Sequence, residues 1–281
     1  MIKLKKLVLT GAAGRLGGYL RGTLAGMCDE LVSTDIADGI ENLAVNESYV
    51  KADLGVLDEM LPIIDGADMV VHFGAIGDEA SWPEVLHSNL IGSYNIWEAC
   101  RIKGVRRVVY ASSIHAVGYH RISDNIGVDA PHRPDSYYGL AKCFTEDCAR
   151  LYFDKEGIEA VCMRIYSCAA ANGPRSLYAW LSVDDLIRMV TASITTPVVD
   201  FTVVYGISNN TRSGLDNSGA AHLGYRPQDD AEVYAAEIFA NADAPDRTDP
   251  AQIRYGGVFS KTKLGQSGLA FMNAVDEKAD S

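Results

Sequence analysis

The chain is short of positive charge. Its 25 lysines and arginines stand against 37 acidic residues, a net charge of −12. Surfaces that bind nucleic acid or anionic membranes need a basic patch, and the one basic cluster is Lys3-Leu4-Lys5-Lys6. Only three apolar residues follow it before a glycine turn, so no signal peptide is expected. No apolar run approaches the roughly 18 residues that a membrane-spanning helix needs. Cysteine is sparse too. None of the six forms a Cys-x-x-Cys pair and most sit in apolar periodic segments, which predicts reduced, buried thiols in a cytoplasmic protein. The histidines carry no metal signature. His115 and His120 are close in sequence but have no third ligand nearby, so no metal site is expected. Repeats and low-complexity tracts are absent.

What is present is apolar and periodic. The 281 residues are 48% hydrophobic, enough for a sizeable core in one large or two small domains. The first half alternates short apolar runs with longer periodic segments, the pattern of βαβ units. Strands are predicted at 5–10, 30–35, 48–52, 69–74, 106–112 and 159–165. Helices are predicted at 15–26, 56–62, 82–103 and 136–156. This makes an α/β protein whose parallel sheet is covered on both faces. After Ile165 the pattern becomes mixed: a helix at Val183–Thr195, a β-rich run Val198–Tyr205, a Gly/Asn/Ser-rich loop, and a helix at Ala231–Ala240. The expected organisation is a nucleotide-binding domain over 1–165, a small substrate-capping region over 166–265, and a loose or partner-packed tail over 266–281.

The chain is organised around Thr10-Gly11-Ala12-Ala13-Gly14-Arg15-Leu16-Gly17, directly behind Leu7-Val8-Leu9. Three glycines spaced three apart predict a tight turn from strand into helix. Lacking a Cβ, they let the backbone approach a pyrophosphate and the helix pack close to the strand. The N–H groups at the helix start suit a phosphate pair. The next strand ends in Asp35, 21 residues beyond Gly14. That is close to the roughly 20-residue offset at which a carboxylate meets a ribose 2′-hydroxyl. The predicted strand 69–74 leads into Gly74-Ala75-Ile76-Gly77, small enough for a flat cofactor ring to lie against, or else a plain turn. Asn89, inside a predicted helix, must be hydrogen-bonded; it braces the neighbouring strand or holds a water.

The chemistry is concentrated in two stretches. Val108-Val109-Tyr110-Ala111 leads into Ser112-Ser113-Ile114-His115, and Tyr138-Gly139-Leu140-Ala141-Lys142 follows. Tyr138 and Lys142 are four apart on a predicted helix and share a face. The lysine's charge is expected to lower the tyrosine pKa from its usual value near 10, towards the working range of a general base. Ser113 can hydrogen-bond the same reacting oxygen.

With Gly11, Gly14, Gly17, Asp35, Asp53, Asn89, Ser113, Tyr138 and Lys142 in place, the chain resembles the extended short-chain dehydrogenase/reductases. The resemblance implies a Rossmann-type doubly wound sheet, an NAD cofactor and chemistry at a carbinol carbon. It places Gly11, Gly14, Arg15, Leu16, Gly17, Asp35, Asp53, Leu54, Gly74, Ala75, Asn89, Tyr138 and Lys142 at the cofactor. Asp35 favours NAD over NADP, although Arg15 could soften that choice. On spacing alone Asp53 faces the adenine or is a solvated loop acid. The catalytic set is Ser113, Tyr138 and Lys142.

A closer resemblance covers residues 3 to 260. The runs Val161–Cys168, Arg175–Asp185, Asp216-Asn217, Leu223–Glu232 and Tyr255-Gly256-Gly257-Val258-Phe259 are similar to bacterial uronate dehydrogenases. This implies oxidation of the C1 hydroxyl of cyclic galacturonate or glucuronate to a lactone. Arg175 is then the cation for the substrate carboxylate, with Gly77, Ser113, Ile114, His115, Tyr138 and Ser167 around the sugar. Three positions depart from the family pattern: Ile114 where asparagine is usual, Gly77 where serine is usual, and Tyr166 for a small residue. These leave the reaction type safer than the sugar, so a neutral aldose or a differently substituted sugar stays open. A nucleotide-sugar epimerase or dehydratase uses the same catalytic set, and a non-catalytic NAD sensor is a rival from another class. The expected protein is a cytoplasmic homo-oligomer acting on a small sugar acid, with neither nucleic acid nor membrane as partner.

Overall fold

A computed structural model of the chain describes residues 4–268 and 270. Seven strands form one all-parallel sheet: β1 Leu4–Thr10, β2 Cys28–Asp35, β3 Glu47–Lys51, β4 Met69–His72, β5 Arg107–Tyr110, β6 Glu159–Ile165 and β7 Phe201–Gly206. Their order is β3-β2-β1-β4-β5-β6-β7. The chain winds outward from β1 in one direction and from β4 in the other. The switch point between them opens a crevice at the carboxyl ends of the strands, where ligands bind in such sheets.

Both faces are covered, which is why the strands read as continuous apolar runs. On one face Leu7, Leu9, Val71, Val109 and Val161 pack against Leu20 and Leu24 of α1 (Arg15–Ala25). Leu186, Met189 and Val190 of α7 (Val183–Thr195) complete that layer. On the other face Val8, Val70, Val108 and Ala160 meet α2 (Leu57–Ile64), α4 (Gly92–Lys103) and α5 (Tyr137–Glu156). The intervening α3 is a single turn, Trp82–Val85.

Three differences from the sequence expectations matter for the site. The predicted helix 82–103 runs from α3 to α4 through a π-helical turn at Leu86–Ile91, which contains Asn89. Such turns rotate side chains off the ordinary helical register. The β-rich run 198–205 is β7, paired in parallel with β6. The boundary drawn at residue 165 therefore cuts through the sheet, because β7 and α7 complete its second wing. What caps the carboxyl edge is narrower: α6 (Ser176–Ala179) with its flanking loops, and the segment after Ile253. Ala231–Ala240 is a 3₁₀ turn followed by α8 (Ala235–Ala240). Of the predicted tail, residues 269 and 271–281 lie outside the described residues.

Candidate active site

The glycine turn closes as the spacing predicts. Gly11 has φ +73°, and a Cβ there would stand 2.5 Å from the carbonyl carbon of Phe73, so the ends of β1 and β4 approach within backbone contact. A Cβ on Gly17 would stand 2.1 Å from the Gly11 oxygen, which fixes how closely α1 packs on the turn. Gly14 is the N-cap of α1 and brings no side-chain cap, leaving first-turn N–H groups for an anion. Arg15 and Leu16 line the cavity beside the turn.

Asp35, at the end of β2, accepts hydrogen bonds from the backbone of Ala13 at 3.0 Å and Ala37 at 3.3 Å. It faces a cavity of about 710 Å³ together with Asp53, Leu54, Gly74 and Ala75. Asp53 accepts from Gly55 N–H and pairs with His87 at 2.9 Å, and the imidazole holds its carboxyl below the usual range. The Gly74 N–H donates to Thr10 Oγ1, whose other partner is His72 Nδ1 at 2.7 Å. Burial, then the Lys142 charge, takes the His72 pKa down to about 3, so the imidazole is neutral. Asn89 is committed to the backbone of Ile76, accepting its N–H at 2.8 Å and donating to its oxygen at 3.0 Å. It braces the loop after β4 and so reaches the cofactor region through that loop.

A second cavity, about 590 Å³, shares Gly11, Gly14, Phe73 and Ala75 with the first and continues over β5 and β6. Ser113, Ile114, His115, Tyr138, Lys142, Ser167, Arg175 and Gly77 all line it. Ser113 caps the 3₁₀ turn Ile114–Val117, and Ser136 caps α5 by accepting the Gly139 N–H. Lys142 Nζ donates to the Ala111 oxygen at 2.7 Å and lies 5.2 Å from the Tyr138 ring centre. The electrostatics correct one expectation. Burial pushes the Tyr138 phenol up to about 12, opposed by its hydrogen bond to Ser113 and reinforced by Asp135 and Asp78. Burial also brings the Lys142 ammonium down to about 7. In the protein alone burial, not the neighbouring lysine, sets the direction of the tyrosine's shift.

Three carboxylates behind this surface were not singled out in the sequence. Glu146, one turn beyond Lys142, is buried. It accepts from Ser112 Oγ at 2.5 Å, from Nε and Nη2 along one edge of the Arg164 guanidinium and from His132 at 2.8 Å. Those donors keep its carboxyl low despite burial, and its charge supports the Lys142 ammonium. Asp135 accepts from His115 Nδ1 at 2.9 Å and from Ser136. Glu79 accepts the backbone N–H of Tyr138 at 2.8 Å. Only Asp135 had a local signal, its place just before the Ser136 cap.

At the substrate end, Arg175 donates through one nitrogen to the Tyr255 oxygen at 2.9 Å and stacks 4.6 Å over the Tyr166 ring. Its Nε is buried without a partner. Tyr166 donates its hydroxyl to the same Tyr255 oxygen at 2.8 Å. Ile114 is 1% exposed and belongs to a buried cluster with Val117, Tyr166 and Tyr205, so it is more core than sugar contact. Gly77 is open, with nothing within 4 Å of where a Cβ would stand. Val258 and Phe259, quoted only as part of the family resemblance, form a wall of the cavity, and the Phe259 ring lies 4.0 Å from that of His115.

The two adjoining cavities, the cradle closed by Gly11 and Gly17, and Asp35 at the far end fit a dinucleotide. Among the described residues no group of three or more His, Cys, Asp or Glu could hold a metal ion, and no helix is long and apolar enough to cross a membrane. Known proteins agree with this geometry. Residues 7–179 match the NAD dependent epimerase/dehydratase family. A uronate dehydrogenase of Pseudomonas putida is 41% identical over 91% of this chain and 95% of its own. The structure of a glucuronic acid dehydrogenase from Chromohalobacter salexigens aligns at a TM-score of 0.90, with 39% identity over 92% of this chain and 98% of its own. A mutant uronate dehydrogenase from Agrobacterium tumefaciens, complexed with NAD, aligns at 0.88 with 38% identity over the same shares. The chain belongs to the NAD dependent epimerase/dehydratase family.

Proposed function

We propose that this protein oxidises the C1 hydroxyl of a cyclic uronate, galacturonate or glucuronate, to the lactone with NAD⁺. One observation carries the reading: Arg175 lines the same cavity as Ser113, Tyr138 and Lys142. A buried guanidinium N–H without a partner is costly, and a carboxylate is the partner its geometry suits. The relatives named for uronate and glucuronic acid oxidation support the same substrate class.

Gly11, Gly14 and Gly17 would hold the pyrophosphate, Asp35 the adenosine ribose, and Lys142 the nicotinamide ribose. When bound, NAD⁺ supplies the acceptor for the C1 hydride. The Tyr138 phenolate oxygen takes the proton of the C1 hydroxyl, and Ser113 orients that hydroxyl oxygen. The C1–H and O–H bonds are lost together and the C1=O of the lactone forms. With the Tyr138 phenol pushed up to about 12 in the free protein, its deprotonation is favoured as pH climbs and turnover is expected to rise with it. Asp35, Asp53 and Glu84 beside one cavity would repel a 2′-phosphate and favour NAD over NADP. We also propose a cytoplasmic homo-oligomer. No disulfide joins any of the six cysteines, and the outer faces of α4 and α5 expose Tyr94, Ile102, Leu140 and Leu151.

A second reading, a neutral aldose, is favoured by the hydrogen bond that already ties Arg175 to Tyr255. NADH formation with galacturonate, glucuronate and neutral aldoses, each with NAD⁺ and NADP⁺, separates the two. Turnover of neutral sugars but not acids would remove Arg175 from its role.

A further inference from the structure

Glu79 is 3% exposed, and its two oxygens serve two distant stretches of backbone. Oε2 accepts the N–H of Tyr138 at 2.8 Å, and Oε1 accepts the N–H of Gly265 at 2.8 Å. Tyr138 is the second residue of α5, so its N–H has no partner within the helix, and a carboxylate there is favoured by the helix dipole. Gly265 has φ +78°, a conformation that suits glycine. Next to Glu79, Asp78 accepts from Ser267 Oγ and from the Gly268 N–H at 3.0 Å. The loop 78–79 is thus a clamp for the segment after Leu264.

Residues 255–259, just upstream of it, lie at the substrate end. The Tyr255 oxygen takes Arg175 and Tyr166. Phe259 packs on His115 and lies 6.4 Å from Tyr138, ring centre to ring centre. Gly268 lies under Phe259 so closely that a Cβ would stand 2.4 Å from the ring. Of the two carboxylates of the clamp, Glu79 is the one that holds both the segment and the first turn of α5.

We propose that Glu79 is a positioning residue: it couples the seating of segment 255–268 to the placement of Tyr138, so the proton acceptor is set only when that wall is closed. The proposal rests on the reading of Tyr138 as proton acceptor. It selects for a carboxylate, because glutamine offers one acceptor and one donor where two N–H groups need acceptors.

The full-length Glu79→Gln, Gly265→Ala and double variants test it. Each single change should lower kcat about tenfold by misplacing Tyr138, with KM for NAD⁺ unchanged. The double should be no worse than the poorer single, since both break one device. Amide hydrogen exchange on the same proteins should show Tyr138 and Gly265 losing protection together in Glu79→Gln. Unchanged kcat in folded Glu79→Gln, or single effects that multiply in the double, would overturn the coupling. If the wild type oxidises no uronate, the reading of the reaction fails, while the exchange experiment still decides the coupling. If Glu79→Gln does not fold, Ser267→Ala loosens the same segment with Glu79 intact. It should lower kcat and the protection of Tyr138, and no change in either refutes the proposal.

Discussion

The cofactor end and the substrate end of this cavity are built on different principles. At the cofactor end, backbone shape does the work. Gly11 and Gly17 admit a close approach that no Cβ allows, and Asp35 reaches a backbone only 22 residues away. At the substrate end, side chains are placed by partners far along the chain. Arg175 and Tyr166 converge on Tyr255, 80 and 89 residues later, and Glu79 holds Gly265 across 186 residues. The first kind of site tolerates change almost anywhere but the backbone; the second depends on how several segments dock. Altering the docking segments therefore offers a route to a new substrate without disturbing the cofactor.

The largest effect should come where the two ends meet. Tyr138→Phe keeps the ring against His115 and Phe259 but removes the proton acceptor. Turnover should fall about 10²- to 10⁴-fold, with NAD⁺ affinity intact by calorimetry; wild-type turnover would sink the mechanism. Arg175→Met probes the substrate end alone. Losing a charge-assisted hydrogen bond should raise KM for galacturonate about 10- to 100-fold and leave KM for NAD⁺ unchanged. A change in KM for NAD⁺ instead would erase the division between the ends. Gly17→Ala probes the other end. Its Cβ would stand 2.1 Å from the Gly11 oxygen, so the turn must open, and NAD⁺ binding should weaken by about tenfold, roughly 1.4 kcal/mol. Sugar KM should not move.

The same division explains what could be read before the structure. The glycine turn, Asp35 and the Tyr138/Lys142 pair are local patterns, and a strand or helix period places them. Ser113 follows from its strand end. Asn89 was legible as a buried amide needing a partner, but not that the partner was Ile76, because the π turn that aims it leaves no mark in spacing. Glu79, Asp135 and Glu146 are ordinary acids in sequence; only tertiary contacts make them buried acceptors. The pKa of Tyr138 was read from its neighbour Lys142, and burial, invisible at that level, decided it. β7 was seen as a β-rich run, while its pairing with β6 needed the sheet.

The smallest expected effect lies beneath both ends, where His132 and Arg164 share Glu146. The hydrogen bond to Glu146 raises the His132 pKa above its ordinary 6.5. A raised histidine stabilises the fold fully below about pH 6.5 and loses that contribution as pH climbs through the folded value. Glu146 runs the other way. Held below 4.5 by His132 and Arg164, it stabilises above that value and fails on acidification. The stability advantage of the wild type over His132→Asn, read as the gap between their urea midpoints, should therefore shrink from pH 6 to 8.5, while both keep the acid limb, since Arg164 still pairs with Glu146. A gap that does not change with pH would show that His132 is not protonated against Glu146. The network under Ser112 would then rest on Arg164 alone, and the support beneath the two ends would be independent of pH in the neutral range.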